Sequence, residues 1–443
     1  MSDGIPRVLI EAPAGFRLED GTGILETDEK AALTVDEEGL SINYGLGSAL
    51  FFPLRDISSI EAADYSIVLD LSPGEKLVLY HLGYRYDDFC RVLKKACSEL
   101  SINDYLMKES MIKEDVRSSY INYNAAGERI EEGNCRIRLY ETAAVIIREN
   151  GAVTRLIYSF INGIRQEDYR LDIEMETGEK WRFEKLGREF SPLLKSLSDA
   201  LSALSLNTQQ HLRQLLPDVS LSVIRKAAEL LKDGRAAQRA DLENIHPSLW
   251  IELEKRLEIA GIKDEYDYLV PLSDEKRVCI GFKRGLMGDL TGEYIWFLIP
   301  VYSRDESLPG NVVAMEASGD GGGKATYFFR IMDRDKYRQA SDREELAAKA
   351  GEFMLQLNRC MLEINFRREP VYLADEKLSQ PAYSKYKESI KQMPDLKILR
   401  EHFLGRVFHR SPEQWKEDVT DIMRFNVNTD NNKAKWKESF NGE

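Results

Sequence analysis

Apolar and polar residues alternate along several short stretches of the first 200 positions. Ala32-Leu33-Thr34-Val35, Leu40-Ser41-Ile42-Asn43-Tyr44, Ser66-Ile67-Val68-Leu69-Asp70-Leu71 and Lys76-Leu77-Val78-Leu79-Tyr80 carry this pattern. A period of two predicts strands with one buried face. Ser72-Pro73-Gly74-Glu75, between the last two, predicts a hairpin turn. The period then lengthens, and Phe89, Val92, Leu93, Ala96 and Leu100 form one stripe of an amphipathic helix. The same series follows again. Strands are predicted over 136–140, 144–147 and 169–173, then a turn at Thr177-Gly178-Glu179 and a strand around Trp181 and Phe183. A closing helix shows Phe190, Leu193, Leu194, Leu197, Leu201 and Leu204.

The two series are in register. Ile57, Ile60, Tyr65, Gly74-Glu75-Lys76, Leu82-Gly83, Leu93 and Leu100 recur 104 positions later as Ile161, Ile164, Tyr169, Gly178-Glu179-Lys180, Leu186-Gly187, Leu197 and Leu204. The offset reaches back to Ile42/Ile146 and Gly47/Gly151. One offset held through strands, a turn and a helix marks a duplicated fold unit. Each unit is then a set of antiparallel strands closed by one helix, whose apolar stripe plugs the open end of the strands.

This pattern resembles the pleckstrin-homology (PH) superfold. The segment Phe52-Pro53-Leu54-Arg55-Asp56-Ile57-Ser58-Ser59-Ile60-Glu61 is similar to an "aromatic, Pro-Leu, then Ile-x-x-Ile" strand of bacterial PH-like and GRAM-like domains. Tyr158-Ser159-Phe160-Ile161-Asn162-Gly163-Ile164 is its counterpart without the proline. The resemblance covers roughly residues 20–205 and implies an α+β, mainly β class with two tandem units. Members of the superfold bind phosphoinositides, peptides, ubiquitin or histones, or act as scaffolds, so the fold does not select among these.

Beyond the repeats the pattern changes. Leu215, Leu221, Ile224, Ala227, Ala228 and Leu231, then Trp250, Leu253, Leu257 and Ala260, are at helical spacing. Strand patterns return at 277–282, 294–302, 312–316 and 325–329, before a long helix through Leu346, Phe353, Leu357 and Ile364. Two readings fit 265–370: a third, diverged PH-like unit with Lys324 in the place of Lys76 and Lys180, or an unrelated α+β domain. Helical spacing resumes with Tyr383, Tyr386, Ile390, Leu396, Leu399, Phe403 and Phe408. The expected organisation is PH-like domains over 1–105 and 106–205, a helical connector over 206–264, the α+β domain over 265–370, a helical extension over 371–425 and a disordered tail over 426–443. The tail is rich in Asn, Lys and Asp.

Charge narrows the partners. The 443 residues carry a formal net charge of -14, which disfavours non-specific contact with nucleic acid or anionic lipid. Residues 1–105 hold 19 acidic against 9 basic side chains, a poor start for a phosphoinositide site on the first unit. The second unit carries Arg136, Arg138 and Arg148 among Glu128, Glu131, Glu132, Glu141 and Glu149. Those arginines, with Lys324, are the candidate ligand or partner contacts, against the reading that they are structural ion pairs. The basic C-terminal helices, with Lys385, Lys387, Lys391 and Arg400 around Tyr383, Tyr386 and Phe403, are nearly balanced by acidic residues, so nucleic acid is disfavoured there too.

Sequence chemistry otherwise assigns no catalytic residue, cofactor or metal. Ser318-Gly319-Asp320-Gly321-Gly322-Gly323-Lys324 departs from a P-loop at both ends, with Ser318 for the first glycine and Ala325 for the Ser/Thr. His81, His211, His246, His402 and His409 form no short-spaced ligand pair. The five cysteines are scattered without a C-x-x-C pair, as in a reducing compartment. The N-terminus has no signal-peptide pattern, and the longest apolar run, 294–302, is short of the roughly 20 residues that span a bilayer. The expected function is a non-enzymatic cytoplasmic adaptor or scaffold that recognises proteins, with homo-oligomerisation left open. The alternatives are a lipid-headgroup module, an acidic chaperone for basic partners such as DNA-binding proteins, and an enzyme in the C-terminal half.

Overall fold

The computed structural model describes residues 7–437 apart from 73, 105–108, 285–292, 303, 306–307, 319–324, 340–342, 379, 381, 430 and 432. The chain divides into two compact units, residues 1–197 with 378–392 and residues 198–377 with 393–443.

The first unit holds both repeats as far as Leu197, within the second closing helix, whose remainder belongs to the second unit. Repeat one comprises β1 (Val8–Asp20), β2 (Gly23–Asp36), β3 (Gly39–Tyr44), β4 (Ser48–Pro53), β5 (Ile57–Ala63), β6 (Ser66–Leu71), β7 (Lys76–Tyr80) and helix α1 (Tyr86–Asp104). Repeat two comprises β8 (Met111–Tyr123), β9 (Arg129–Tyr140), β10 (Ala143–Arg148), β11 (Val153–Ile157), β12 (Ile161–Glu167), β13 (Arg170–Met175), β14 (Lys180–Glu184) and helix α2 (Phe190–Leu215). The sheets have the same order, β4-β3-β2-β1-β7-β6-β5 and β11-β10-β9-β8-β14-β13-β12. Every adjacent pair is antiparallel. The architecture is α+β, with two tandem units of seven antiparallel strands, each followed by a helix, which is consistent with the expected PH-like pair.

From the 3-10 turns Leu54–Asp56 and Tyr158–Phe160 onward, element starts coincide at the offset of 104. Backbone conformation repeats with them. Asp64-Tyr65 and Asp168-Tyr169 are two-residue hairpin turns with φ of 49° and 58°, and 45° and 61°. Positive φ at both central residues is what a type I′ turn requires. Each turn tyrosine is exposed and packs on the first residue of the closing helix, Tyr65 on Tyr86 and Tyr169 on Phe190, both at 5.5 Å between ring centroids. The duplicated tyrosine is therefore a turn residue and not a core one. The β6–β7 turn is closed by Gly74 N–H to the Leu71 carbonyl at 2.8 Å, while Pro73 lies outside the described residues.

Strand β1 escapes the alternation signal. Its inward residues are Ala12, Ala14, Phe16 and Leu18, interrupted by Pro13, Gly15 and a register shift between Ala14 and Phe16. Gly15 leaves room there for the Tyr80 ring, which a Cβ would approach to 2.3 Å.

The second unit has a six-stranded antiparallel sheet ordered β15-β16-β17-β20-β21-β22. Its strands are β15 (Ala237–Gln238), β16 (Cys279–Arg284), β17 (Glu293–Val301), β20 (Val312–Ala317), β21 (Ala325–Arg330) and β22 (Phe403–Phe408), with the short pair β18 (Arg304–Asp305) and β19 (Leu308–Pro309) beside it. This meander does not reproduce the order in which each repeat pairs its first strand with its last. It also draws strands from outside 265–370. Helix α3 (Leu221–Leu230) precedes β15, and α4 (Arg239–Ile245), α5 (Pro247–Ile259) and α6 (Lys263–Leu269) lie between β15 and β16. After β21 come α7 (Arg334–Gln339), α8 (Arg343–Glu363), α9 (Glu369–Tyr372), α10 (Asp375–Leu378), α11 (Lys385–Gln392), α12 (Pro394–His402) and α13 (Pro412–Asn428). Of these, α11 belongs to the first unit, where the Ser389 hydroxyl donates to the Asp104 carbonyl at 2.9 Å.

Two sequence expectations change in the second unit. Phe403 and Phe408, read as helical positions, begin and end strand β22, so 371–425 is not wholly helical. Gly405 within it permits close approach of the chain: a Cβ there would meet the Trp436 carbonyl oxygen at 3.2 Å. The 426–443 segment, read as disordered, is anchored by two buried residues where it is described. Asn426 is fully buried on Arg330, and Trp436 is buried with its backbone N–H on the Leu404 carbonyl at 2.7 Å. Residues 438–443 lie outside the described ones.

Candidate functional site

A sheet of fixed order leaves two edge strands per repeat, and an edge offers unpaired backbone groups to another chain. Three of the four edges are guarded. Strands β5 and β12 each carry a bulge at their start and exposed polar residues, Ser58 and Glu61 in one, Arg165 and Gln166 in the other. Strand β11 is buried along most of its length. Strand β4 has neither guard. It pairs in unbroken register with β3, from Gly39↔Pro53 to Tyr44↔Ser48, and its other side has no strand partner among the described residues.

The outward faces differ in the same sense. Ser41 is half-buried, and Asn43, Ala49 and Phe51 are exposed, Phe51 to 53%. Their counterparts at the offset of 104, Val145, Ile147, Val153 and Arg155, are all buried. Part of what lies against β11 is helix α1, whose Ser98 hydroxyl contacts the Gly151 carbonyl at 3.2 Å. Arg155 is held by Glu109 at 2.6 Å and by the Thr142 hydroxyl at 3.1 Å. In repeat one the Phe51 ring lies over Gly39, where a Cβ would be 2.4 Å away.

Acidic groups border the open edge. The β2–β3 turn presents Glu37 and Glu38 beside the Pro53 end of β4, and Asp36 accepts from the Glu38 and Gly39 amides at 2.8 Å each. A shallow groove of about 590 Å³ adjoins the Ser48 end, lined by Asn43, Tyr44, Ser48, Glu29 and His81 among others.

The arginines singled out by sequence are engaged within the chain. Arg138 is buried, with its guanidinium on Glu99 of α1 at 2.6 and 3.0 Å and on Asp115. Burial works against its charge, but the bonds and charges of Glu99 and Asp115 outweigh that and hold its pKa above the ordinary guanidinium value. Arg136 shares Asp115 at 2.8 Å. Arg148 pairs with Glu131 at 3.0 Å and lies 5.8 and 5.7 Å from the ring centroids of Tyr120 and Trp181. Arg136 and Arg138 thus converge on one carboxylate, and Arg148 stands apart on an aromatic pair. Lys324 and the rest of 319–324 lie outside the described residues.

A second cluster, in the second unit, gives no sequence signal because its members are far apart in the chain. Glu265 on α6, Glu316 on β20 and His409 just after β22 bring donor atoms within 4.8 Å of one another. His409 Nε2 is 3.0 Å from Glu316 Oε1, and Nδ1 is 3.3 Å from Glu265 Oε1. The Thr326 hydroxyl donates to Glu316 Oε2 at 2.6 Å, stands 3.3 Å from His409 Nε2, and accepts the Trp415 indole N–H at 3.0 Å. Burial, with the Glu316 charge adding to it, pushes the Glu265 carboxyl above the usual carboxylate range.

No protein-family model matches the chain, and no curated protein does. Among solved structures the chain is similar to one described as the structure of the Spt16D Pob3N heterodimer. The likeness has 10% sequence identity and a TM-score of 0.16, over 38% of this chain and 85% of that one. At that score it adds nothing to the architecture read from the sheets themselves. No helix among the described residues is long and apolar enough to cross a membrane, and the five cysteines are free thiols.

Proposed function

We propose that this protein is a non-enzymatic adaptor of the cytoplasm. Its first repeat captures an extended, basic peptide segment of a partner protein by adding it as a strand beside β4. The carrying observation is the unguarded edge: β4 exposes Phe51 and a backbone row that the same strand of repeat two buries. Strand addition draws affinity from backbone hydrogen bonds and selectivity from alternate side chains. Phe51 supplies an apolar contact, and Glu37 and Glu38 favour a Lys- or Arg-bearing partner. Repeat two acts as a rigid mount for the first, which is the use its arginines support. Their pairing with Asp115, Glu99 and Glu131 favours a structural role over a lipid headgroup site.

The test is selection from a displayed library of unstructured peptides against the full chain. Enriched peptides are expected to alternate apolar with Lys or Arg and to protect amides within 48–52 from hydrogen exchange. They should lose about tenfold or more in affinity for the Phe51→Glu variant. Peptides that protect another surface, or that bind Phe51→Glu as well as wild type, overturn the reading.

A further inference from the structure

We infer that Glu316, His409 and Glu265 form a binding site for a first-row divalent cation of the zinc or manganese class. The Glu316 carboxylate and the His409 imidazole are a mixed oxygen and nitrogen donor pair suited to those ions, with Glu265 behind the ring. Donors about 2.0–2.2 Å from one ion stand about 3–3.6 Å apart, and Glu316 Oε1 and His409 Nε2 are 3.0 Å apart.

Three features separate this cluster from a mere gathering of acids. First, Glu316 is 1% exposed, and its Oε1 receives no hydrogen bond although it is aimed at the imidazole. A buried carboxylate oxygen without a donor is costly, and a cation between Oε1 and Nε2 removes that cost. Second, the groups behind the donors are already in place. Trp415 donates to Thr326, and Thr326 donates to Glu316 Oε2, which turns Oε1 toward the site. On the far side of the ring, Glu265 faces Nδ1, the position from which a carboxylate fixes the tautomer of a metal-bound histidine. Its Oε2 also lacks a hydrogen bond. Third, the site is rigid and reachable. Glu316 sits mid-sheet on β20, while the Glu265 and His409 side chains keep 16% and 15% exposure as an entry path.

The rival arrangement is an imidazolium held between two carboxylates, with no ion. Untagged full-length protein, stripped with a chelator, is titrated calorimetrically with Zn²⁺ and with Mn²⁺, and its metal content is measured after dialysis. The expected result is one equivalent of at least one of these ions per chain, with quenching or a shift of tryptophan fluorescence, since Trp415 is two hydrogen bonds from Glu316. Glu316→Gln keeps the Thr326 contact and should weaken uptake at least about tenfold. Should Glu316→Gln fail to fold, Glu265→Gln at the rim serves, with uptake weakened and the circular dichroism unchanged. No uptake of either ion, or uptake equal in wild type and the folded variants, overturns the site. The outcome does not bear on peptide capture by β4, which lies in the other unit.

Discussion

Asn43 and Ile147 occupy the same place on the third strand of their repeats, as do Phe51 and Arg155 on the fourth. The backbones around them share sheet order, turn conformation and the element boundaries from the 3-10 turns onward. Asn43 and Phe51 face solvent, whereas Ile147 and Arg155 are buried. A duplicated scaffold has thus been used in two ways. One copy has its outer face covered within the chain, and the other keeps its outer face and edge open. The difference teaches that the free surface of the tandem cannot be inferred from the fold, since both copies have the same one. It follows from which outward positions are apolar enough to be covered.

The sharpest way to break the comparison is a charge on that face. Ile147→Asp would bury an unpaired carboxylate and should cost more than about 4 kcal/mol. Asn43→Asp, at the matching exposed site, should stay within about 0.5 kcal/mol. Urea unfolding of the full chain, followed by a probe in the first unit, checks both. Equal losses would mean that the outer face of repeat one is also covered.

This contrast was in the sequence, unevenly. Leu40-Ser41-Ile42-Asn43-Tyr44 alternates, as a strand with one wet face must, whereas Ala143–Ile147 is apolar throughout, the mark of burial on both faces. The closing helices were legible from their stripes, and Leu93 and Leu197 are both buried as expected. Strand β1 was not, because alanines, Pro13 and Gly15 carry too little apolar contrast. Strand β22 was not, because Phe403 and Phe408 fit a helical continuation and only distant packing against Trp436 decides otherwise. The Glu265, Glu316 and His409 cluster had no chance of being read, since the sheet, and no local spacing, assembles it.

A smaller effect sharpens the comparison through protons. Burial alone would raise the Asp115 carboxyl, but the hydrogen bond and charge of Arg138, joined by Arg136, outweigh it and hold the pKa below the usual range. A carboxyl depressed in the folded state adds stability above its unfolded pKa of about 3.9, and that stability is lost as pH falls below it. Asp104, the last residue of α1 in repeat one, runs the other way. Burial raises its pKa, and Arg55 at 2.7 Å opposes this without cancelling it. Its penalty is present at neutral pH and disappears as the group protonates. Asp115→Asn should therefore cost about 2 kcal/mol at pH 7, with the gap from wild type closing below about pH 4. Asparagine also tolerates the φ of 21° at that bulge. Asp104→Asn should be neutral to slightly stabilising at pH 7. Unfolding curves from pH 3 to pH 7 read both signs, and a gap for Asp115→Asn that does not change with pH would remove the ion pair from the account.

The smallest expected effect is the one on which the repeats must agree. Tyr65 and Tyr169 hold left-handed turns of nearly equal φ and make the same 5.5 Å ring contact with the head of a closing helix. Replacing either with glycine relieves roughly 1–2 kcal/mol of left-handed strain. It forfeits about 0.5–1.5 kcal/mol of aromatic contact and adds about 0.4–1 kcal/mol of unfolded-chain entropy. Those terms nearly cancel, so Tyr65→Gly and Tyr169→Gly should each fall within about 1 kcal/mol of wild type and, because turn and contact are duplicated, within about 0.5 kcal/mol of each other. Thermal unfolding of the two single variants measures that difference directly. A larger gap would mean that the burial of repeat two's outer face reaches through its sheet to the turn. The scaffold itself, and not only its covering, would then have diverged.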